Sequence, residues 1–562
     1  MHTSIPSMLS RLALLAVLGF PALTTQAQVA TPTWASVQRS TAATVNSGAQ
    51  ADKVAVAADG SRFVSGTFAG PVNFGGTTLP VKPSEAGIYV AKYTADGTLA
   101  WVRYALETEG DTRAAVAVDA AGNAIITGYF GGSLSFSNTA IAPLTTAGPD
   151  VTDAYVAKFD PQGNLLWARA GGATANGDAY AAAAGTDALG NIYVAGDFSG
   201  SLSFGGPAVS TSNEDIFLFK FTPAGAVTWV RTAGGSATDY AYALATDAAG
   251  NAYLTGSIYE SATFGTITLA NTGAADNEDG FVVKYDTQGT VQWAQRFGVA
   301  TNGDSGSSIA VDAAGNVAVG GYTDYFYNGT EDGTSIFVGR YNSQGARLWS
   351  QKITPAETSY ISGYGVAYDG KGGLYMTGNF LGSLTFGPTT LTAANTDNGD
   401  LYAVRFDGQG KTVWADKVTS PGRDNGVIGL DVATDGLGNA YVVGAVGGNA
   451  TFGTIATSGV GINSFVAKLN AGGTITASRP ALAALALSVY PNPASEQATL
   501  MLPVGGGQLV LTDALGRTVR EQALPATAGA CPVALTGLTP GLYQLRATLG
   551  NGQLASARLT VR

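Results

Sequence analysis

Seven tryptophans recur along this chain at nearly even intervals: Trp34, Trp101, Trp167, Trp229, Trp293, Trp349 and Trp414, with gaps of 67, 66, 62, 64, 56 and 65 residues. A fixed recurrence of this kind marks a repeat architecture built from one supersecondary unit. The surrounding text recurs with them. "DALGNIYVAGDFSGSLSFGG" at 187–206 returns as "DGLGNAYVVGAVGGNATFGT" at 435–454, and "DAYVAKFDPQGNLLWARAGG" at 153–172 as "DIFLFKFTPAGAVTWVRTAGG" at 215–235. Each unit reads as four short strands, in one copy "AYAAAAGTD" (179–187), "NIYVAGDF" (191–198), "DIFLFKF" (215–221) and "AVTWVRT" (226–232). The first-to-second link is Asp-x-x-Gly, from Asp119 to Gly122, Asp187 to Gly190, Asp247 to Gly250, Asp312 to Gly315 and Asp435 to Gly438. Asp opening a type I turn and Gly free to take positive φ predict a tight hairpin. Asp160 to Gly163 and Asp286 to Gly289 repeat the device between third and fourth strands. With 77 glycines, 12% charged residues and no long stretch of helical periodicity, the chain is all-β.

Four-stranded units repeated around an axis predict a β-propeller. Ala-rich first strands fit the innermost position, where blades crowd, and large residues fit the outer strands. These first strands start near residues 52, 113, 179, 240, 306, 363 and 428, so the count is seven. The last unit, through "SFVAKLNAGGTITA", has Ala477 where Trp is expected. Trp34, stranded at the front in "TPTWASVQRS", is therefore predicted to supply the outer strand of the seventh blade and close the ring, leaving fewer exposed edges. The expected fold is all-β: a seven-bladed β-propeller (31–478) closed by an N-terminal strand, then a linker (479–486) and a small C-terminal β-sandwich (487–562). Units of this length also predict long loops.

The elements "D-x-x-G-N-x-Y-V-x-G", "F-G" and "F-V-x-K-x-D-x-x-G-x-x-x-W" resemble the SBBP family of β-propeller repeats of bacterial secreted proteins, over about residues 31–478. Unit five departs, with "YTDYFYNGTEDGTSIF" (322–337) in place of the "S-L-S-F-G" segment. The resemblance implies the fold and leaves the ligand open, because propellers host many unrelated functions.

The two ends carry addresses. Residues 1–27 combine Arg11, the apolar run "LALLAVLGF" and the small-residue "TQA", which reads as a secretory signal peptide cleaved near Ala27. That run and "ALAALALSV" (481–489) are too short to span a bilayer. The mature chain is expected to be soluble and exported, with no membrane span. The last module holds Tyr490-Pro491-Asn492-Pro493, "LTDALGRTV" (511–519) and "LTGLTPGLYQLRA" (535–547), and its 5 Arg against 3 acids give +2. Its "YPNP", "D-x-x-G-R" and "L-x-x-G-x-Y", the last including Gly541 and Tyr543, look like the type A C-terminal sorting domain of the type IX secretion system of Bacteroidota. The resemblance implies the type IX machinery as partner, and cargo that is released or attached to surface lipopolysaccharide.

Chemistry is constrained by absence. The one histidine, His2, lies in the signal segment, and the one cysteine, Cys531, in the sorting module, so disulfides, paired-thiolate metal sites and His-based catalysis fall away. The glycine-rich turn at 370–373 lacks a Gly-Lys-Ser pattern for phosphate. A net charge of -11 disfavours nucleic acid. Carboxylates, Tyr and Arg remain. The links expected on one face hold 21 of the 40 acids: Glu107, Glu109, Asp111, Asp178, Asp239, Asp304, Glu357 and Asp424 between fourth and first strands, and Glu85, Asp150, Asp153, Glu214, Asp215, Asp276, Glu278, Asp279, Asp324, Glu331, Asp332, Asp397 and Asp400 between second and third. Asp52, Asp111, Asp178, Asp239, Asp304 and Asp424 precede the innermost strand in six of seven units and are candidates for a channel-mouth ring. Such a ring could hold calcium or a basic or sugar ligand. The plainer reading, that each Asp caps its own loop, is favoured. No cofactor is otherwise expected. Three functions remain open: a non-enzymatic scaffold binding a glycan or protein ligand, a carboxylate-dependent polysaccharide-active enzyme, and a structural adhesin spacer.

Overall fold

The computed structural model describes residues 32–562 apart from 83, 110–111, 149, 174–176, 271–276, 299–302, 326–334, 357–360, 395–398, 422–425, 471–484, 503–505, 514–517 and 550–553. The signal segment, Ala477, Asp111 and Asp424 lie outside these residues, as do Asp276, Glu331, Asp332, Glu357 and Asp397.

Among the described residues, the strand pairings between 34 and 469 make seven four-stranded antiparallel sheets in succession, several of them joined by further strands into larger ones of up to 12 strands. Their first strands are Gly48–Val56, Ala115–Val118, Ala179–Thr186, Asp239–Thr246, Gly303–Val311, Ile361–Tyr368 and Val427–Thr434. Each of these touches the next, and the last touches the first. The fourth strand of the seventh sheet is Trp34–Ala42, which pairs antiparallel with Ile462–Leu469, Val37 opposite Ala467 and Arg39 opposite Phe465.

The Asp-x-x-Gly hairpins form as the turn chemistry requires. Gly122 Nα–H donates to Asp119 O at 2.9 Å, and Gly122 holds φ of 80°. Asp119 Oδ1 accepts from the Ala121 and Asn123 amides, and its Oδ2 from the Asn123 side chain, so Asp, Gly and Asn each answer one demand of the turn. Lys158 of the same sheet completes the cluster, 2.9 Å from Asp119 Oδ2 and buried with it.

Apolar cores lie between sheets as well as within them. Tyr193, Leu218 and Trp229 of the third sheet pack with Leu254, Phe281 and Val283 of the fourth. The seventh and first share Val443 and Val466 with Ala49, Val54 and Tyr89. The repeated tryptophan ties these junctions together. Trp101 Nε1 donates to Pro161 O at 3.0 Å, Trp229 to Thr287 O at 3.2 Å and Trp293 to Ser343 O at 3.0 Å, each in the turn of the following sheet. Trp34 departs and donates to Asp416 Oδ2 at 3.0 Å. Trp101→Phe keeps most of the ring but removes the donor, so the protein should lose about 1 kcal/mol, read from denaturant unfolding of variant and parent.

The length of the repeat has a different cause from the long loops expected. Several second-to-third links fold into a short hairpin that adds to the outer strand of the preceding sheet. Phe136 lies opposite Ala105, Phe264 opposite Ala233, Phe452 opposite Val418 and Phe74 opposite Ser40. The "F-G" of the repeat is this hairpin, with Phe74, Phe264 and Phe452 buried.

The C-terminal module has its own core, in which Leu500, Leu511, Cys531, Leu545 and Leu559 are buried. Its strands form a five-stranded and a three-stranded sheet. Asn492 of the "YPNP" stretch clamps the last strand by donating to Arg558 O at 2.8 Å and accepting from the Thr560 amide at 2.9 Å. Tyr490 is exposed, while Tyr543, near the start of Gly541–Leu549, is buried and donates its hydroxyl to Thr539 O at 2.7 Å. Of "D-x-x-G-R", only Asp513 falls within the described residues.

Candidate functional site

A glycine stands at one place in the second strand of every sheet: Gly66, Gly128, Gly196, Gly256, Gly321, Gly378 and Gly444. A Cβ there would lie 1.8–1.9 Å from a carbonyl oxygen of the first strand or, at Gly128, of Arg113 just before it; at Gly256 the oxygen is Tyr240 O at 1.9 Å. In six of the seven sheets the first strand carries a β-bulge beside this glycine, and the extra residues are Asp52, Ala182, Tyr242, Ser307, Tyr364 and Leu430. A bulge re-aims the side chain of its extra residue. All six line one cavity of about 570 Å³, to which all seven sheets contribute.

That cavity is a tyrosine recess. Tyr129, Tyr180, Tyr240, Tyr242, Tyr322 and Tyr364 line it. Tyr240 and Tyr242 stack at 5.9 Å between centroids, and Tyr129 meets Tyr180 edge-on at 5.0 Å. Tyr alternates with Ala in "DYAYALAT", so one face of the strand packs and the other meets the recess. This alternation was the available sequence signal. The Ala-rich strands suggest crowding, yet tyrosines of the same strands line the recess.

Asp197 and Glu214 of the third sheet also line the recess. Burial, and then the adjoining Glu214 carboxylate hydrogen-bonded to it, hold the Asp197 carboxyl well above the usual range. Tyr240 donates to Glu214 Oε2 at 3.1 Å, and burial with Glu214 pushes its hydroxyl to about 12. Glu278 is raised by burial and accepts from Tyr322 at 3.4 Å.

The aspartates expected to form a ring occupy three different registers. Counted from the residue opposite the second-strand glycine, Asp52 stands one place after, Asp239 and Asp304 two before, and Asp178 three before. Of the four described, Asp52 alone lines the recess. Asp178 accepts from the Thr152 amide at 2.8 Å, Asp239 from the Tyr259 amide at 3.2 Å, and Asp304 from the Thr323 hydroxyl. Among the described residues, no three His, Cys, Asp or Glu side chains are grouped to hold a metal ion.

Asp239 is fully buried, and its pKa is pushed to about 7, first by burial and further by Asp215 and Glu260. The folded protein therefore binds a proton that the unfolded chain has released above about pH 4, so this group's contribution to stability falls as pH rises from about 4 to about 7. Asp239→Asn should abolish that slope and stabilise the protein at pH 8, by on the order of 3 kcal/mol. Melting temperatures of variant and parent from pH 4 to 8 would check this, and parallel curves would refute it.

Residues 488–561 match the secretion system C-terminal sorting domain, and residues 292–325 match the β-propeller repeat. This chain carries an SBBP propeller repeat and a type IX sorting tail. The repeat match runs from the outer strand of the fourth sheet through the second strand of the fifth. Over 258 residues the chain is 24% identical to an uncharacterized WD repeat-containing protein of Acanthamoeba polyphaga mimivirus, in a match that takes in 37% of this chain and 18% of that protein. The chain thus spans under a fifth of that relative's length. Among solved structures, a protein of unknown function from Bacteroides caccae aligns at 10% identity and TM-score 0.27, over 54% of this chain and 81% of that one. One from Dyadobacter fermentans aligns at 11% and 0.34, over 78% and 99%. The sorting tail implies export, to the medium or the cell surface. Among the described residues no helix is long and apolar enough to cross a membrane.

Proposed function

We propose that this chain is a secreted or surface-displayed binding protein, a closed seven-bladed β-propeller that presents its axial recess to a small ligand. In this reading residues 1–27 direct inner-membrane export, and the C-terminal module engages the type IX machinery of a member of the Bacteroidota. Closure is supported by the pairing of Trp34–Ala42 with Ile462–Leu469 and by the contact of the seventh first strand with the first. The observation that carries the binding role is the recess itself, lined from all seven sheets, with six tyrosines and a carboxyl pair. A mostly preformed cavity with aromatic walls and a few convergent polar groups is the usual form of a small-molecule site. The reading needs no cofactor and no catalysis. For the rival reading of a polysaccharide hydrolase, Asp197 and Glu214 are a poor acid pair. They adjoin each other on neighbouring strands of one sheet, whereas retaining enzymes set an acid and a nucleophile roughly 5 Å apart across the scissile bond.

An array of glycans and small metabolites, probed with the whole chain and with a Tyr180→Ala/Tyr240→Ala variant, tests this. A ligand bound by the parent should bind the variant at least about tenfold more weakly, since stacking on each ring is worth about 1 kcal/mol. Binding that ignores the double substitution would move the site elsewhere, and no binding at all would favour the spacer.

A further inference from the structure

We propose that the axial recess selects an organic ammonium ion, a positive charge carried on apolar carbon. The proposal rests on the recess being the binding site. Its walls fit that chemistry in two ways. Aromatic faces carry negative quadrupole potential and attract a cation whose hydration is weak, and six tyrosines line this cavity. Two carboxyl groups held in contact are also unfavourable unless a proton or a cation lies between them, and Asp197 and Glu214 are so held on the third sheet.

The two basic side chains that line the recess, Lys53 and Arg113, stand near carboxyl groups other than the pair. Lys53 lies 4.0 Å from Asp431; Asp52, whose carboxyl is raised by burial and partly lowered again by Gln50, Arg113 and Lys53, accepts from Gln50 at 2.7 Å. The carboxyl pair has Tyr240 as neighbour instead. A divalent metal would want six or more hard oxygen ligands, and among the described residues no three His, Cys, Asp or Glu side chains are grouped to hold one. About 570 Å³ suits a small organic molecule. A neutral sugar would use the rings but gain nothing from the charge of the pair.

Calorimetry on the full chain in about 150 mM salt, where the Debye length is about 8 Å, compares choline, its uncharged carbon isostere 3,3-dimethylbutan-1-ol, and a neutral cello-oligosaccharide. Choline should bind at least about tenfold more tightly than the isostere. Glu214→Gln and Tyr240→Ala should each weaken it at least about fivefold. Tyr240→Phe, which keeps the ring, should retain binding, and Glu85→Gln, on an exposed loop away from the recess, should leave it unchanged. A melting scan of each variant separates lost binding from lost folding. Equal binding of choline and the isostere overturns the proposal. Binding of the oligosaccharide without choline overturns it but leaves the recess as the site, and no binding by any of the three also overturns it, leaving the recess to be judged by the array.

Discussion

A chain beginning at Gly48 should fail to give a stable monomer. The strand it lacks, Trp34–Ala42, is the outer strand of the seventh sheet, and its loss leaves the backbone of Ile462–Leu469 as a bare edge, a template for aggregation. The side-chain losses are also large. Trp34 is 5% exposed, meets Phe452 edge-on at 5.5 Å and donates to Asp416. Ser40 accepts from the Ser464 amide at 2.9 Å, and Asn463 accepts from the Ala42 amide at 2.8 Å. Removing one buried tryptophan costs about 3–5 kcal/mol. The rest of the strand should bring the total close to the whole stability of an ordinary domain, about 5–15 kcal/mol. Size-exclusion chromatography should show aggregates in place of a monomer peak, with no cooperative melting transition. A peptide of residues 32–47 added in trans should restore part of the transition. An unchanged melting temperature would mean that the strand closes nothing.

Gly256→Ala is the second change with a large expected effect. The added Cβ would sit 1.9 Å from Tyr240 O and 3.0 Å from Ala241 Cα. Both are backbone atoms, so no side chain can swing aside, and the first strand must move. Overpacking of this kind costs about 1–3 kcal/mol, and more where the obstacle is rigid. We expect the upper end or beyond. The movement should reach the recess, because Tyr242 is the bulge residue beside this glycine. Denaturant midpoints measure the first effect, and binding of any recess ligand the second. Gly205→Ala is a useful contrast: its added Cβ meets nothing within 4 Å, although its φ of 80° brings backbone strain alone. If Gly256→Ala were no worse than Gly205→Ala, the close approach would not matter.

The four-strand repeat, its hairpin turns and the sorting tail could all be read from the chain. These features rest on neighbours in sequence: alternation along a strand, Asp and Gly at fixed places in a turn, and the "YPNP" and "L-x-x-G-x-Y" stretches. The pairing of the stray Trp34 strand could be inferred as well, because seven inner strands with six following tryptophans leave one outer place to fill. What only the tertiary structure decided is which side chains meet at the axis. A bulge adds one residue and turns the next side chain to another face, and nothing in "DYAYALAT" marks Tyr242 as the extra residue. Asp52, Asp178, Asp239 and Asp304 take different registers for a simpler reason: they stand at unequal distances in sequence from the turn that ends their strand. Asp197, inside a strand that reads as core, comes to face Glu214 17 residues further on because their two strands lie side by side. Turns are set by local backbone chemistry; a site is set by register, and register is fixed only when the sheets pack.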